Sequence, residues 1–158
     1  MNEMTRQIVG EILLITVMFG GKAMAAEKFP TNAKVKIVNL GNPPGQDDYT
    51  LEKTGEEANG DGIYYLQTRY NNYLWDVKGG AGTMVGWTNT GDGTKGSQWV
   101  LHKNSDGWSI MAKKNGANTV TKVAKTAQSS GLELQRNQGS KNTTGVQIWQ
   151  IQCTANCK

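Results

Sequence analysis

The apolar residues of this chain come in short runs, each closed by glycine, asparagine, aspartate or proline. Ten strand-like pieces follow from that pattern: Lys34 to Leu40, Tyr49 to Lys53, Ile63 to Thr68, Leu74 to Val77, Met84 to Trp87, Trp99 to His102, Trp108 to Ala112, Thr119 to Val123, Leu132 to Gln135 and Gln147 to Ile151. Between them lie turn clusters such as Gly41-Asn42-Pro43-Pro44-Gly45, Asn59-Gly60-Asp61-Gly62, Gly91-Asp92-Gly93 and Asn104-Ser105-Asp106-Gly107. Their residues supply positive φ or a prearranged bend. No helix is signalled beyond residue 25.

A longer period overlies the short one. Tyr49, Trp99 and Trp149 stand fifty positions apart, and each is followed two residues later by an aliphatic, Leu51, Leu101 or Ile151. Val35-Lys36-Ile37-Val38-Asn39 also aligns without a gap with Val85-Gly86-Trp87-Thr88-Asn89. A fixed period of this kind marks one supersecondary unit used several times. The fold expected is therefore all-β: a β-trefoil of three repeats of about 40–50 residues, four short strands each, with the first repeat degenerate or truncated. Closure about a threefold axis would remove free sheet edges. Tyr49, Trp99 and Trp149 would then pack with Leu51, Leu101 and Ile151 as one core layer, since equivalent positions meet near the axis.

Composition agrees with a turn-rich β protein. Twenty glycines and two phenylalanines occur in 158 residues, a length suited to a single domain. Seventeen basic against thirteen acidic residues give a net charge of +4, spread without a long basic run. Nucleic-acid surfaces cluster their basic residues, so no nucleic-acid partner is expected.

Residues 1–25 read as a secretory signal. Arg6 precedes the apolar run from Ile12 to Phe19, and Ala23-Met24-Ala25 offers small residues for cleavage before Ala26. The mature domain is then 26–158, secreted or periplasmic in a bacterium, and without a membrane span, which needs about 20 apolar residues. A competing reading makes Ile12 to Val17 and Lys22 to Ala26 two strands of the first repeat. In an oxidising compartment Cys153 and Cys157 can close a small terminal loop. With His102 as the sole histidine, the two cysteines do not make a metal site.

The stretch Gly62-Ile63-Tyr64-Tyr65-Leu66-Gln67-Thr68-Arg69, then Tyr73-Leu74-Trp75-Asp76-Val77-Lys78-Gly79-Gly80, Val85-Gly86-Trp87 and Ser97-Gln98-Trp99-Val100-Leu101 resembles one unit of a ricin-type (ricin B-like) β-trefoil lectin. Gln147-Ile148-Trp149 matches that family's Gln-x-Trp signature, and the likeness spans about residues 33–152. The chain is two strands short of the family's full set if its leader is removed. The resemblance implies a shallow sugar pocket in the second unit, with Asp76 as the carboxylate, Trp87 as the stacking platform, and Asn89 or Gln98 replacing the family's amides, because Gly96 and Ser97 occupy the usual amide positions. A carboxylate makes charge-assisted hydrogen bonds to hydroxyls and a flat ring matches the apolar face of a pyranose. The structural alternatives are Asp76 organising the Lys78-Gly79-Gly80 turn and Trp87 as a half-buried barrel residue. In the third unit Lys122 replaces the aspartate, with Arg136 or Asn137 near the platform, and in the first Ile37 replaces the platform, so neither is expected to bind sugar.

Catalysis finds little support. His102 has no serine or cysteine pattern beside it, and Asp47-Asp48 and Glu56-Glu57 are adjacent carboxylates in loops. No phosphate-binding loop or dinucleotide fingerprint occurs, and no cofactor is expected. The functional expectation is thus a non-catalytic, secreted module that binds a glycan or glycoconjugate, as the targeting subunit of a toxin or surface assembly. The alternative is a trefoil that has lost its sugar and acts on a protein partner as inhibitor or structural component.

Overall fold

The computed structural model describes residues 26–40, 47–75, 82, 85–88, 96–113, 118–126, 129–139 and 147–158. The strands are β1 (Ala33–Asn39), β2 (Asp47–Glu56), β3 (Gly62–Thr68), β4 (Tyr73–Trp75), β5 (Gly86–Thr88), β6 (Trp99–Asn104), β7 (Gly107–Ala112), β8 (Asn118–Thr126), β9 (Ser129–Arg136) and β10 (Trp149–Ala155). Among the described residues no helix is long and apolar enough to cross a membrane.

Six strands close into a barrel. β1 pairs with β2, β2 with β3, β3 with β6, β6 with β7, β7 with β10, and β10 returns to β1, every pair antiparallel. The remaining strands form two hairpins, β4–β5 continuing from β3 and β8–β9 from β7. A backbone bond from Val85 N–H to Leu132 C=O, 2.8 Å, ties the segment leading into β5 to β9. The route from β3 to β6 carries a hairpin within residues 69–98, and that from β7 to β10 carries one within 113–148. Only residues 40–46 separate β1 from β2.

Alternation explains the barrel strands. In β1, Ala33, Val35, Ile37 and Asn39 are buried while Lys34, Lys36 and Val38 face outward to differing degrees, the period of two a pleated strand imposes. The expected aromatic layer is present as burial: Tyr49, Trp99 and Trp149 share one cluster with Leu51 and Leu101, and Ile151 packs half-buried against it. They sit on β2, β6 and β10, alternate strands of the barrel. Each large ring removes on the order of 150–250 Å² from water, so three of them with Tyr64 and Trp108 dominate the core.

The two tryptophans also act as polar ties. Trp99 Nε1–H donates to Leu74 C=O in β4 at 3.1 Å, and Trp149 Nε1–H donates to Val120 C=O in β8 at 2.9 Å. Each indole thus anchors a hairpin to the barrel and satisfies its buried N–H. The gapless match of Val35–Asn39 to Val85–Asn89 joins unlike places: the former is barrel strand β1, the latter includes β5 of a hairpin. Cys153 and Cys157 form a disulfide across 5.9 Å between Cα atoms, at the end of β10.

Candidate functional site

Where β2, the β3–β4 turn and β5 meet, a cavity of about 290 Å³ is lined by Asp48, Tyr49, Thr68, Arg69, Tyr70, Asn72 and Trp87. Its size is at the small end of ligand pockets, roughly 300–1,000 Å³. Local geometry builds each part. Tyr49 points into the barrel, so strand alternation turns its neighbour Asp48 outward to the rim. Leu74 and Trp87 are register partners across β4–β5; Leu74 is buried, and Trp87 stays 45 % exposed. The Trp87 ring lies near-parallel to Tyr49, centroids 6.4 Å apart and planes at 23°. A buried ring therefore backs an accessible one and limits its orientation.

The turn Arg69–Asn72 is internally bonded. Thr68 N–H donates to Asn72 C=O at 2.8 Å, Asn71 N–H to Thr68 C=O at 3.1 Å, and Tyr70 N–H to the Thr68 hydroxyl at 3.1 Å. That hydroxyl donates in turn to Asn72 Oδ1, so the amide's NH₂ remains as its donor. Asn71 takes the left-handed conformation at φ 61°, which asparagine tolerates better than most residues. The turn holds Tyr70 out at 72 % exposure, with the Arg69 guanidinium 4.9 Å from its ring centroid. Two accessible aromatic rings, a carboxylate, an amide and a guanidinium thus surround one small concavity. Such a set can stack on an apolar ligand face while hydrogen-bonding its polar rim.

Of the residues expected from sequence, Trp87 lines this cavity. Asp76 and Asn89 lie outside the described residues, as do residues 1–25 and the Lys78-Gly79-Gly80 turn. Gln98 is not part of the lining among the described residues; its Nε2 donates to Thr54 Oγ1 at 3.1 Å. Gly96 has a structural reason: at φ +74° a Cβ would stand 2.8 Å from Leu74 O, the same carbonyl that receives the Trp99 indole. Ile37 is core, Arg136 ends β9 and Asn137 follows it, both exposed, and Lys122 lies in β8.

Asp48, Arg69, Tyr70 and Asn72 were missed. In sequence Asp48 stands as half of an acidic pair, and the signal for its place at the rim is its position next to the buried Tyr49. For Tyr70 the signal was a bulky aromatic within the polar run Arg69-Tyr70-Asn71-Asn72.

Elsewhere, His102 is not isolated: its Nδ1 lies 2.7 Å from Oδ2 of the buried Asp61, which also accepts from Asn59 Nδ2 at 2.8 Å. Ser109, opposite His102 in the β6–β7 register, accepts a bond from Asn104 Nδ2 at 2.8 Å. Among the described residues no group of three or more His, Cys, Asp or Glu side chains is placed to hold a metal ion. Among the described residues the acids with a shifted pKa are Glu56, at the end of β2, and Tyr64, on β3. Lys28 and Lys53 both bond Glu56 and hold its carboxyl down at about 2, and burial pushes the Tyr64 phenol up.

Comparison with protein-family models, with curated proteins and with solved structures finds no match for this chain.

Proposed function

We propose that the protein is a non-catalytic carbohydrate-binding module of β-trefoil type, with its sugar site in the cavity under Trp87. The observation that carries this reading is the exposed Trp87 ring, seated on Tyr49 beside Asp48 and Asn72. A sugar ring stacked on the indole would place its hydroxyls beside a carboxylate acceptor and an amide donor. The site differs from the one the family likeness implies in drawing its carboxylate from β2 and its amide from the β3–β4 turn. Secretion through residues 1–25, and a role as targeting subunit of a toxin or surface assembly, belong to the same proposal.

A single small pocket binds weakly, so avidity through several copies would be needed on a cell surface. The test is a glycan-array screen of the protein beside Trp87→Ala and Asp48→Asn. Binding by the parent, lost at least about tenfold in both folded variants, supports the site. A well-folded parent that retains no glycan moves the function to protein recognition, for which the exposed Tyr70, Trp75 and Trp87 would serve as anchors.

A further inference from the structure

We infer that the saccharide this cavity selects carries an anionic group, carboxylate or sulfate, received by Arg69; this rests on the carbohydrate reading above. Trp87, Asp48 and Asn72 already offer a neutral sugar a platform, an acceptor and a donor, whereas a guanidinium fork is matched best by an anion. Arg69 lines the cavity, and its position over the Tyr70 ring at 4.9 Å restrains the group before any ligand arrives. Among the described residues Arg69 takes part in no ion pair. Asp48, the other charge of the lining, has Lys36 as its register partner on β1, and among the described residues neither takes part in an ion pair. Arg69 is the cation of the lining.

The chemistry then divides cleanly. Asp48 repels an anion and suits the hydroxyl edge of the sugar, while Arg69 offers a planar fork of N–H donors that matches a carboxylate or sulfate with two parallel bonds. An acidic sugar lying on Trp87 would satisfy both ends at once. The net charge of +4 adds a modest long-range attraction in the same sense.

The experiment is calorimetric titration of the full chain with four probes: a digalacturonate, its methyl ester, the neutral digalactoside, and a sulfated digalactoside. Arg69→Gln, Arg69→Lys and Trp87→Ala are titrated beside the parent, with thermal melts to establish folding. The parent should bind at least one anionic probe about tenfold or more tightly than the uncharged ones, the size expected of charge-assisted hydrogen bonds. Arg69→Gln should erase that preference, and Arg69→Lys should keep part of it. Preference for the carboxylated or the sulfated probe decides which anion is meant. Equal affinity for acid and ester with no gain from sulfate, or an acid preference surviving Arg69→Gln, overturns the inference while Trp87-dependent sugar binding still stands. No binding of any probe by the folded parent overturns both.

Discussion

Removing one oxygen from the barrel interior tests how the N-terminal segment is held. The Tyr64 ring is fully buried, and its hydroxyl donates to Phe29 C=O at 2.6 Å while accepting from Phe29 N–H at 2.7 Å. Phe29 is thereby seated 4.9 Å from the Trp108 ring, packed against the core cluster. Gly62 belongs to the same arrangement, since a Cβ there would stand 2.3 Å from the Tyr64 hydroxyl. Tyr64→Phe keeps the ring and deletes both hydrogen bonds. At about 0.5–1.5 kcal/mol net for each, the loss is about 1–3 kcal/mol. Phe29 is only half-buried, so water can reach its freed groups, and the middle of that range, about 2 kcal/mol, is expected. For a domain of this size that lowers Tm by roughly 6–10 °C. Urea denaturation at neutral pH measures it directly.

The pH dependence supplies a second, independent check. Burial raises the Tyr64 phenol above its ordinary value of 10.0, because the phenolate is the form that burial disfavours. The folded state then holds the proton more tightly than the unfolded one. The linked stability is fully present below pH 10 and is lost as pH rises from there through the raised folded value. The gap between the parent and Tyr64→Phe should therefore narrow on going from neutral pH to about pH 11. A variant as stable as the parent at pH 7, or a gap unchanged at high pH, would refute the reasoning.

Two further perturbations are expected to separate roles. Glu56→Gln removes the carboxylate that Lys28 and Lys53 hold down at about 2 from 4.5. The parent's share of stability from this group is present above 4.5 and lost as pH falls toward 2, so acid titration by circular dichroism should show a shallower decline in the variant over that window. Added salt should reduce the difference, because the group is exposed. Gly96→Asn restores the amide type that the family likeness would place there, yet its Cβ would meet Leu74 O at 2.8 Å. A loss of about 1–3 kcal/mol in chemical denaturation is expected, with no gain in sugar affinity; a stable variant that binds more tightly would contradict the account of Gly96.

Much of the barrel was legible because its signals are local or periodic. Val35 and Ile37 alternate with lysine or valine along β1, and Tyr49, Trp99 and Trp149 announce their burial by size and spacing. The Cys153–Cys157 bond follows from proximity in sequence. What could not be read depends on pairings far apart in the chain. Val35–Asn39 and Val85–Asn89 look alike as short strands, and only the pairing of β1 with both β2 and β10 makes the first a barrel strand. Asp48 and Asn72 meet near Trp87 because β2, β3, β4 and β5 are neighbours in one sheet. The Asp61–His102 contact similarly bridges residues 41 apart, through the β3–β6 pairing.

The burial of Tyr49 and the candidate site are two aspects of one arrangement. Trp99 and Trp149 each spend their indole N–H on a hairpin carbonyl, Leu74 O or Val120 O, so at those places a hairpin lies against the aromatic. Tyr49 occupies the corresponding place on β2, whose connection from β1 spans only residues 40–46. The Trp87 ring of the neighbouring hairpin lies near-parallel to Tyr49 there. Beside the paired rings lies the cavity bounded by Asp48 and the Arg69–Asn72 turn. Tyr49 is buried while Trp87 stays accessible, which is the condition a stacking platform requires.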